Sequence, residues 1–225
     1  VPPVLPFKIR YATSSVKNRT APGPDRIRLE HLKNIPPVLV NTLARFFTHY
    51  MSECKVSTQR KTTKTVLLFK KGDLHHLGKY RPICLLSVVY KLFTRVILNR
   101  IDRTLDEGQP CEQAGFRKGN STMDHIHTLT RLIEVSREYK RPLCLTFIDL
   151  EKAFDSIEIE AVMEALGIQG VPTQYIKILR ELYKNFTTKI SPFNNDINVD
   201  VKRGVRQGDT ISPKLFTATL QNIMK

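Results

Sequence analysis

The chain has 225 residues, with 36 Lys+Arg against 21 Asp+Glu, a formal charge of +15 and a pI near 9.8. Hydrophobic residues at 41% and charged residues at 25% exclude a mainly disordered chain, and the length suits one large domain or two small ones. The longest apolar run, residues 83–93, is broken by Ser87, Tyr90 and Lys91 and is too short to span a bilayer.

The N-terminal Val1-Pro2-Pro3-Val4-Leu5-Pro6 lacks a basic region and an apolar core, so no signal peptide is visible; the absent initiator Met points to a fragment. Residues 1–80 hold 15 Lys+Arg and 4 Asp+Glu, whereas residues 81–225 hold 21 and 17. That asymmetry is either a solvated basic face or the footprint of an anionic partner, of which nucleic acid is the commonest. Thr20-Ala21-Pro22-Gly23-Pro24-Asp25 is a turn ahead of a short helix. Leu39, Leu43, Phe46, Phe47, Tyr50 and Cys54 follow helical spacing and predict an amphipathic helix over 37–54. Residues 65–69 predict a strand that ends in the turn Lys70-Lys71-Gly72-Asp73. Ser87 can cap a second long helix whose inner face is Val89, Leu92, Phe93, Val96, Ile97 and Ile101. Ser121 to Asp124 has capping-box spacing and opens a third helix, with Ile126, Leu129, Thr130 and Ile133 expected inward.

Residues 143–148 are apolar except for Thr146 and read as a buried strand running into Asp149. A strand-end carboxylate either faces solvent or is paired with a cation, and a rigidly held Asp suits Mg²⁺. Asp155 stands at capping-box distance from Glu158, so a helix N-cap is its expected role. Two helices follow, Gly167 ending the first and Pro172 starting the second. Residues 187–191 and 197–202 flank Phe193-Asn194-Asn195-Asp196 and predict a hairpin; Ser212-Pro213 starts a last helix. Cys54, Cys84, Cys111 and Cys144 lie far apart with no Cys-x-x-Cys pair, which argues against a disulfide scaffold or a structural zinc site. His75, His76, His125 and His127 lack accompanying ligands, and no phosphate-binding loop of the Gly-x-x-x-x-Gly-Lys type occurs.

Phe147-Ile148-Asp149 followed by Ala153-Phe154-Asp155 resembles motif A of reverse transcriptases, particularly those of non-LTR (LINE-type) retrotransposons. The other blocks stand in the family's order: the Thr20–Asp25 block, Lys70-Lys71-Gly72-Asp73 with Tyr80-Arg81-Pro82-Ile83, and Gln113-Ala114-Gly115-Phe116-Arg117 with Ser121-Thr122. Gly204-Val205-Arg206-Gln207-Gly208-Asp209 with Ile211-Ser212-Pro213 resembles motif B. The resemblance implies an α+β fold: right-hand polymerase fingers plus an incomplete palm, with a small antiparallel sheet and packed helices. Residues 1–19 would be an N-terminal extension, 20–141 the fingers and the start of the palm, and 142–225 the incomplete palm.

The same resemblance assigns roles. Asp149 would be the catalytic, metal-binding carboxylate, with the Leu150 backbone carbonyl beside it; Mg²⁺ is the implied cofactor, with Mn²⁺ able to substitute. Phe154 matches a steric gate against the ribose 2′-OH. Lys71 and Arg81 match cations that grip the triphosphate, Lys70 being the alternative to Lys71. Gln207 and Gly208 match the turn beneath the nucleotide, and Gly115 and Arg117 lie in the template/primer-side block. The implied partners are an RNA template, a DNA primer and dNTPs, with no membrane partner, in an intracellular, nuclear or cytoplasmic, non-secreted protein. Two departures stand out. No Asp-Asp pair occurs in the chain, which stops in the helix after motif B and is therefore expected to be truncated before motif C. Arg60 stands where related elements favour Trp. An RNA-directed DNA polymerase fragment, inactive alone, is the implied function, and a non-catalytic nucleic-acid-binding remnant is the alternative.

Overall fold

The computed structural model describes residues 2–15, 20–57, 62–110, 112–117, 119–192 and 195–224. Arg60, Cys111, Phe193 and Asn194 lie outside the described residues. Helix α1 (Pro6–Ser14) buries Ile9 and Ala12; in α2 (Pro37–Glu53) Phe47 and Tyr50 are buried as expected, but the rest of the buried face runs through Val40, Ala44 and Met51, and Leu39 is exposed. Helix α3 (Val88–Glu107) begins at Ser87, whose hydroxyl accepts the Tyr90 N–H at 3.2 Å. Asp25 adds a second acceptor there, taking the Val88 N–H at 2.8 Å. The Thr20–Asp25 turn thus places a carboxylate at the positive end of the longest helix. Phe93 of α3 meets Phe47 and Tyr50 of α2 at ring-centroid distances of 5.0 and 5.7 Å, near the centre of the core.

Strands β1 (Thr62–Phe69) and β2 (Tyr80–Leu85) form an antiparallel hairpin. Strands β3 (Thr187–Ile190) and β4 (Ile197–Asp200) form the expected hairpin. The sheet order is β2-β1-β3-β4, and β1 runs parallel to β3, so the small sheet is mixed rather than antiparallel as expected. A threonine row binds the parallel pair: hydroxyls of Thr63 and Thr65 lie 3.1 and 2.6 Å from that of Thr188. Parallel neighbours need a long crossover. Here the crossover includes α3, α4 (Thr122–Glu138), the single turn α5 (Ala153–Ser156), α6 (Ile159–Ile168) and α7 (Thr173–Tyr183). Helix α8 (Ser212–Ile223) starts at Ser212-Pro213 as expected and packs on α6.

Three expectations are corrected. Residues 143–148 are not a buried strand: they are irregular and exposed, because no described strand lies beside them to take their backbone hydrogen bonds. Helix α4 has the expected Ser121–Asp124 capping box, yet none of its residues is buried; Ile126 and Leu129 remain exposed because no described element covers that face. Gly167 lies inside α6, which closes two residues later through Val171 N–H to Leu166 O and Gly170 N–H to Gly167 O, each 3.0 Å, the six-to-one and five-to-two pattern of a Schellman cap. Cys54, Cys84 and Cys144 carry free thiols.

Candidate functional site

Two segments distant in the chain converge at the turn formed by residues 204–209. Gly204 N–H donates to Ile157 O and Val205 N–H to Phe154 O, both at 2.8 Å, fastening the turn to α5. Cys84 N–H, at the end of β2, donates to Gln207 O at 2.8 Å, and the Gln207 side-chain amide donates to Asp155 Oδ1 at 3.0 Å. Gly208 has φ +106°, and a Cβ there would stand 2.8 Å from the Cys84 carbonyl oxygen, so only glycine lets the two backbones approach this closely. Beside the junction lies a cleft of about 320 Å³ lined by Pro82, Cys84, Asp155, Arg203 and Gln207.

Asp155 is therefore not a helix N-cap; Glu158 occupies that position on α6, and the Asp155 carboxylate faces Gln207 instead. Partial burial raises the Asp155 carboxyl above its ordinary value, opposed by the Gln207 amide and then by the charges of Lys152 and Lys70. Lys70, at the end of β1, is thereby placed near the junction. Phe154 is half-buried and stacked on Phe216 of α8 at 4.6 Å, with Phe116 edge-on at 5.9 Å. The Gly115–Arg117 turn thus reaches the site through Phe116, while Arg117 donates back to Pro110 O at 3.0 Å and Gly115 N–H to Gln113 Oε1 at 3.2 Å.

Phe154, Gln207 and Gly208 are brought together; Asp149, Lys71 and Arg81 form no hydrogen bond with them. Lys71 sits exposed in the β1–β2 turn and Arg81 exposed on β2 opposite Leu68. Asp149 is exposed in the irregular segment and makes no hydrogen bond or ion pair among the described residues, and Leu150 is 49% exposed. Ile148 and Leu150 line a larger apolar cleft of about 720 Å³ with Ala153, Ile157 and Phe216. Among the described residues no group of three or more His, Cys, Asp or Glu side chains is arranged to hold a metal ion. One carboxylate and one carbonyl do not fit the two-ion site that the sequence resemblance implies, since Mg²⁺ takes six oxygens and two close ions need several carboxylates.

Sequence reasoning missed Arg206 and Asp209, which flank the Gln207–Gly208 pair and are both buried. Arg206 donates to the Tyr90 hydroxyl and to Leu182 O. Burial pushes the Tyr90 phenol well up and that of Tyr183 to about 12, so both stay protonated against the guanidinium. Nothing in the local spacing marks these charges as interior, because the rings around Arg206 come from separate segments. Phe116 and Phe216 were also missed as partners of Phe154; their aromatic character is the only signal the sequence carries.

A family profile described as reverse transcriptase (RNA-dependent DNA polymerase) matches residues 68–225. The chain is 27% identical over 222 residues to "Probable RNA-directed DNA polymerase from transposon BS" of Drosophila melanogaster, covering 96% of this chain and 24% of that protein. It is 26% identical to the retrovirus-related Pol polyprotein from type-1 retrotransposable element R2 of Popillia japonica, covering 91% of this chain and 28% of that protein. It is 24% identical to the RNA-directed DNA polymerase from mobile element jockey of Drosophila funebris, covering 98% and 25% respectively. The chain spans about a quarter of the length of these relatives. Among the described residues, no helix is long and apolar enough to cross a membrane.

Proposed function

This chain belongs to the reverse transcriptase (RNA-dependent DNA polymerase) family, of the non-LTR retrotransposon kind, and we propose that it forms the nucleotide-facing part of an RNA-directed DNA polymerase site. The observation that supports this reading is the junction of β2, α5 and the 204–209 turn, in which the Phe154 carbonyl takes the Val205 N–H and Gln207 lines the adjoining cleft. Phe154, braced between Phe116 and Phe216, is the rigid ring against which a ribose 2′-OH would collide. Gly208 and Gln207 form the floor under the incoming dNTP. Lys71 and Arg81 face solvent as free cations for its triphosphate; Arg suits bidentate phosphate contacts, and Lys70 acts on Asp155 instead. Gly115 and Arg117 border the template side, where an RNA template and DNA primer would run.

In this reading residues 20–141 serve as fingers and the start of the palm, residues 142–225 as palm, and residues 1–19 as an extension. Reverse transcriptases generally use divalent metal ions; Asp149 and the Leu150 carbonyl would supply two oxygens to one Mg²⁺, or to Mn²⁺ in its place. With that donor set the 225-residue chain binds primer–template without extending it. A location inside the cell, nuclear or cytoplasmic, follows from such substrates.

The test is equilibrium binding of an RNA–DNA primer–template by the chain between about 50 and 200 mM salt. Affinity should fall steeply, and Arg117→Ala should reduce the slope of log K against log salt by about 1, whereas Arg81→Ala or Lys71→Ala should weaken dNTP binding to the complex. A flat response would refute the reading. Primer extension by the chain that is lost on Asp149→Asn would refute the binding-only part and leave the site assignment standing.

A further inference from the structure

We propose that Arg206 and Asp209 are positioning residues that hold the Gln207–Gly208 turn in register with Cys84 and Asp155; the proposal rests on the nucleotide-site reading for its functional consequence. Arg206 is 3% exposed and Asp209 4%. The Arg206 guanidinium lies 3.9 Å from the Phe186 ring centroid and 4.7 Å from those of Tyr90 and Tyr183, a three-sided aromatic cage. Its NH groups donate to the Tyr90 hydroxyl on α3 and to Leu182 O on α7. Three residues on, Asp209 Oδ1 accepts the Thr94 hydroxyl of α3 at 2.8 Å and the Ile211 N–H at 3.5 Å, at the start of α8.

The turn is thus anchored on both sides, with Gln207 and Gly208 between the anchors. Arg206 Nε and Asp209 Oδ2 are buried without a hydrogen-bond partner among the described residues. What the pair does supply is direction. Each anchor fixes one side of a two-residue segment whose carbonyl must meet Cys84 N–H and whose amide must meet Asp155. Lysine could not take the place of Arg206, because an ammonium has neither the planar face for three rings nor the fork that reaches Tyr90 and Leu182 together.

The test compares Arg206→Lys and Asp209→Asn with Ile101→Val and Leu105→Ala, core variants of α3 remote from the turn, paired by equal loss of Tm. The first readout is hydrogen exchange of the Cys84 amide, whose acceptor is Gln207 O. The second is dNTP affinity of the primer–template complex, alone and in a double-mutant cycle with Gln207→Ala. Positioning predicts at least a tenfold faster Cys84 exchange in Arg206→Lys and Asp209→Asn than in the Tm-matched core variant. It also predicts a lower dNTP affinity to which Gln207→Ala adds little. Equal Cys84 exchange in the matched variants would overturn the proposal. Absence of dNTP binding by the wild-type complex would refute the nucleotide-site reading, while the exchange comparison would still decide the positioning role. If Arg206→Lys fails to fold, Asp209→Asn carries the same comparison.

Discussion

Replacing Gly204 with alanine should destabilise the protein far more than the same change at Gly170, although both residues have similar positive φ, +89° and +80°. The backbone cost of placing an L side chain at positive φ is common to both, about 1–3 kcal/mol. At Gly170 the added methyl meets nothing within 4 Å. At Gly204 it would stand 2.9 Å from Asp155 Cα, Asp155 O and Phe154 O, all backbone atoms that cannot swing aside. Relieving that overlap requires the turn to retreat from α5, adding about 1–3 kcal/mol of overpacking. It also stretches the two 2.8 Å hydrogen bonds from Gly204 and Val205, each worth about 1 kcal/mol. Gly204→Ala should therefore lose about 2 kcal/mol or more beyond Gly170→Ala, a gap of roughly 4–8 °C in Tm for a chain of this size. Urea unfolding and calorimetry on the two variants measure it. Equal losses at the two positions would refute the argument, since they would leave only the shared backbone cost and no close contact between the turn and α5.

Phe154→Ala should cost about 2 kcal/mol of stability, less than a fully buried Phe because the ring is only half-buried, and should lower the dNTP-over-rNTP affinity ratio of the primer–template complex. Loss of stability with an unchanged ratio would mark an ordinary packing ring. Asp209 supplies a pH prediction: burial raises its carboxyl above the ordinary 3.8, opposed by Arg206, the Thr94 hydroxyl and the amides of Ile211 and Thr210. Between about 3.8 and the raised folded value the native state keeps a proton that the unfolded chain releases, so stability should fall as pH rises through that window. Asp209→Asn should flatten that fall, leaving the contribution of the same sign from Asp155, in urea titrations from pH 4 to 7; an unchanged slope would show that Asp209 is not the group responsible.

Helices α2, α3 and α8 were legible because spacing and end signals agree in one short window: apolar residues every three or four positions, Ser87 before α3, Pro213 in the first turn of α8. Residues 143–148 misled because apolar character reports burial without supplying the neighbour whose backbone must pair with it. The parallel pairing of Thr62–Thr65 with Thr187–Ile190 was invisible for the complementary reason, since its partners lie 125 residues apart with five helices between them. The site divides along the same line. Gln207, Gly208 and Phe154 could be singled out because the blocks that carry the family resemblance are short local runs of residues. Arg206 and Asp209 could not, because a charge is expected at the surface until rings or hydroxyls from elsewhere in the chain surround it. The cage of Tyr90, Tyr183 and Phe186 is assembled from α3, α7 and the residue before β3. The block resemblance thus points to Phe154, Gln207 and Gly208, whereas Arg206 and Asp209 lie in the core, where only the tertiary structure distinguishes an interior charge from a surface one.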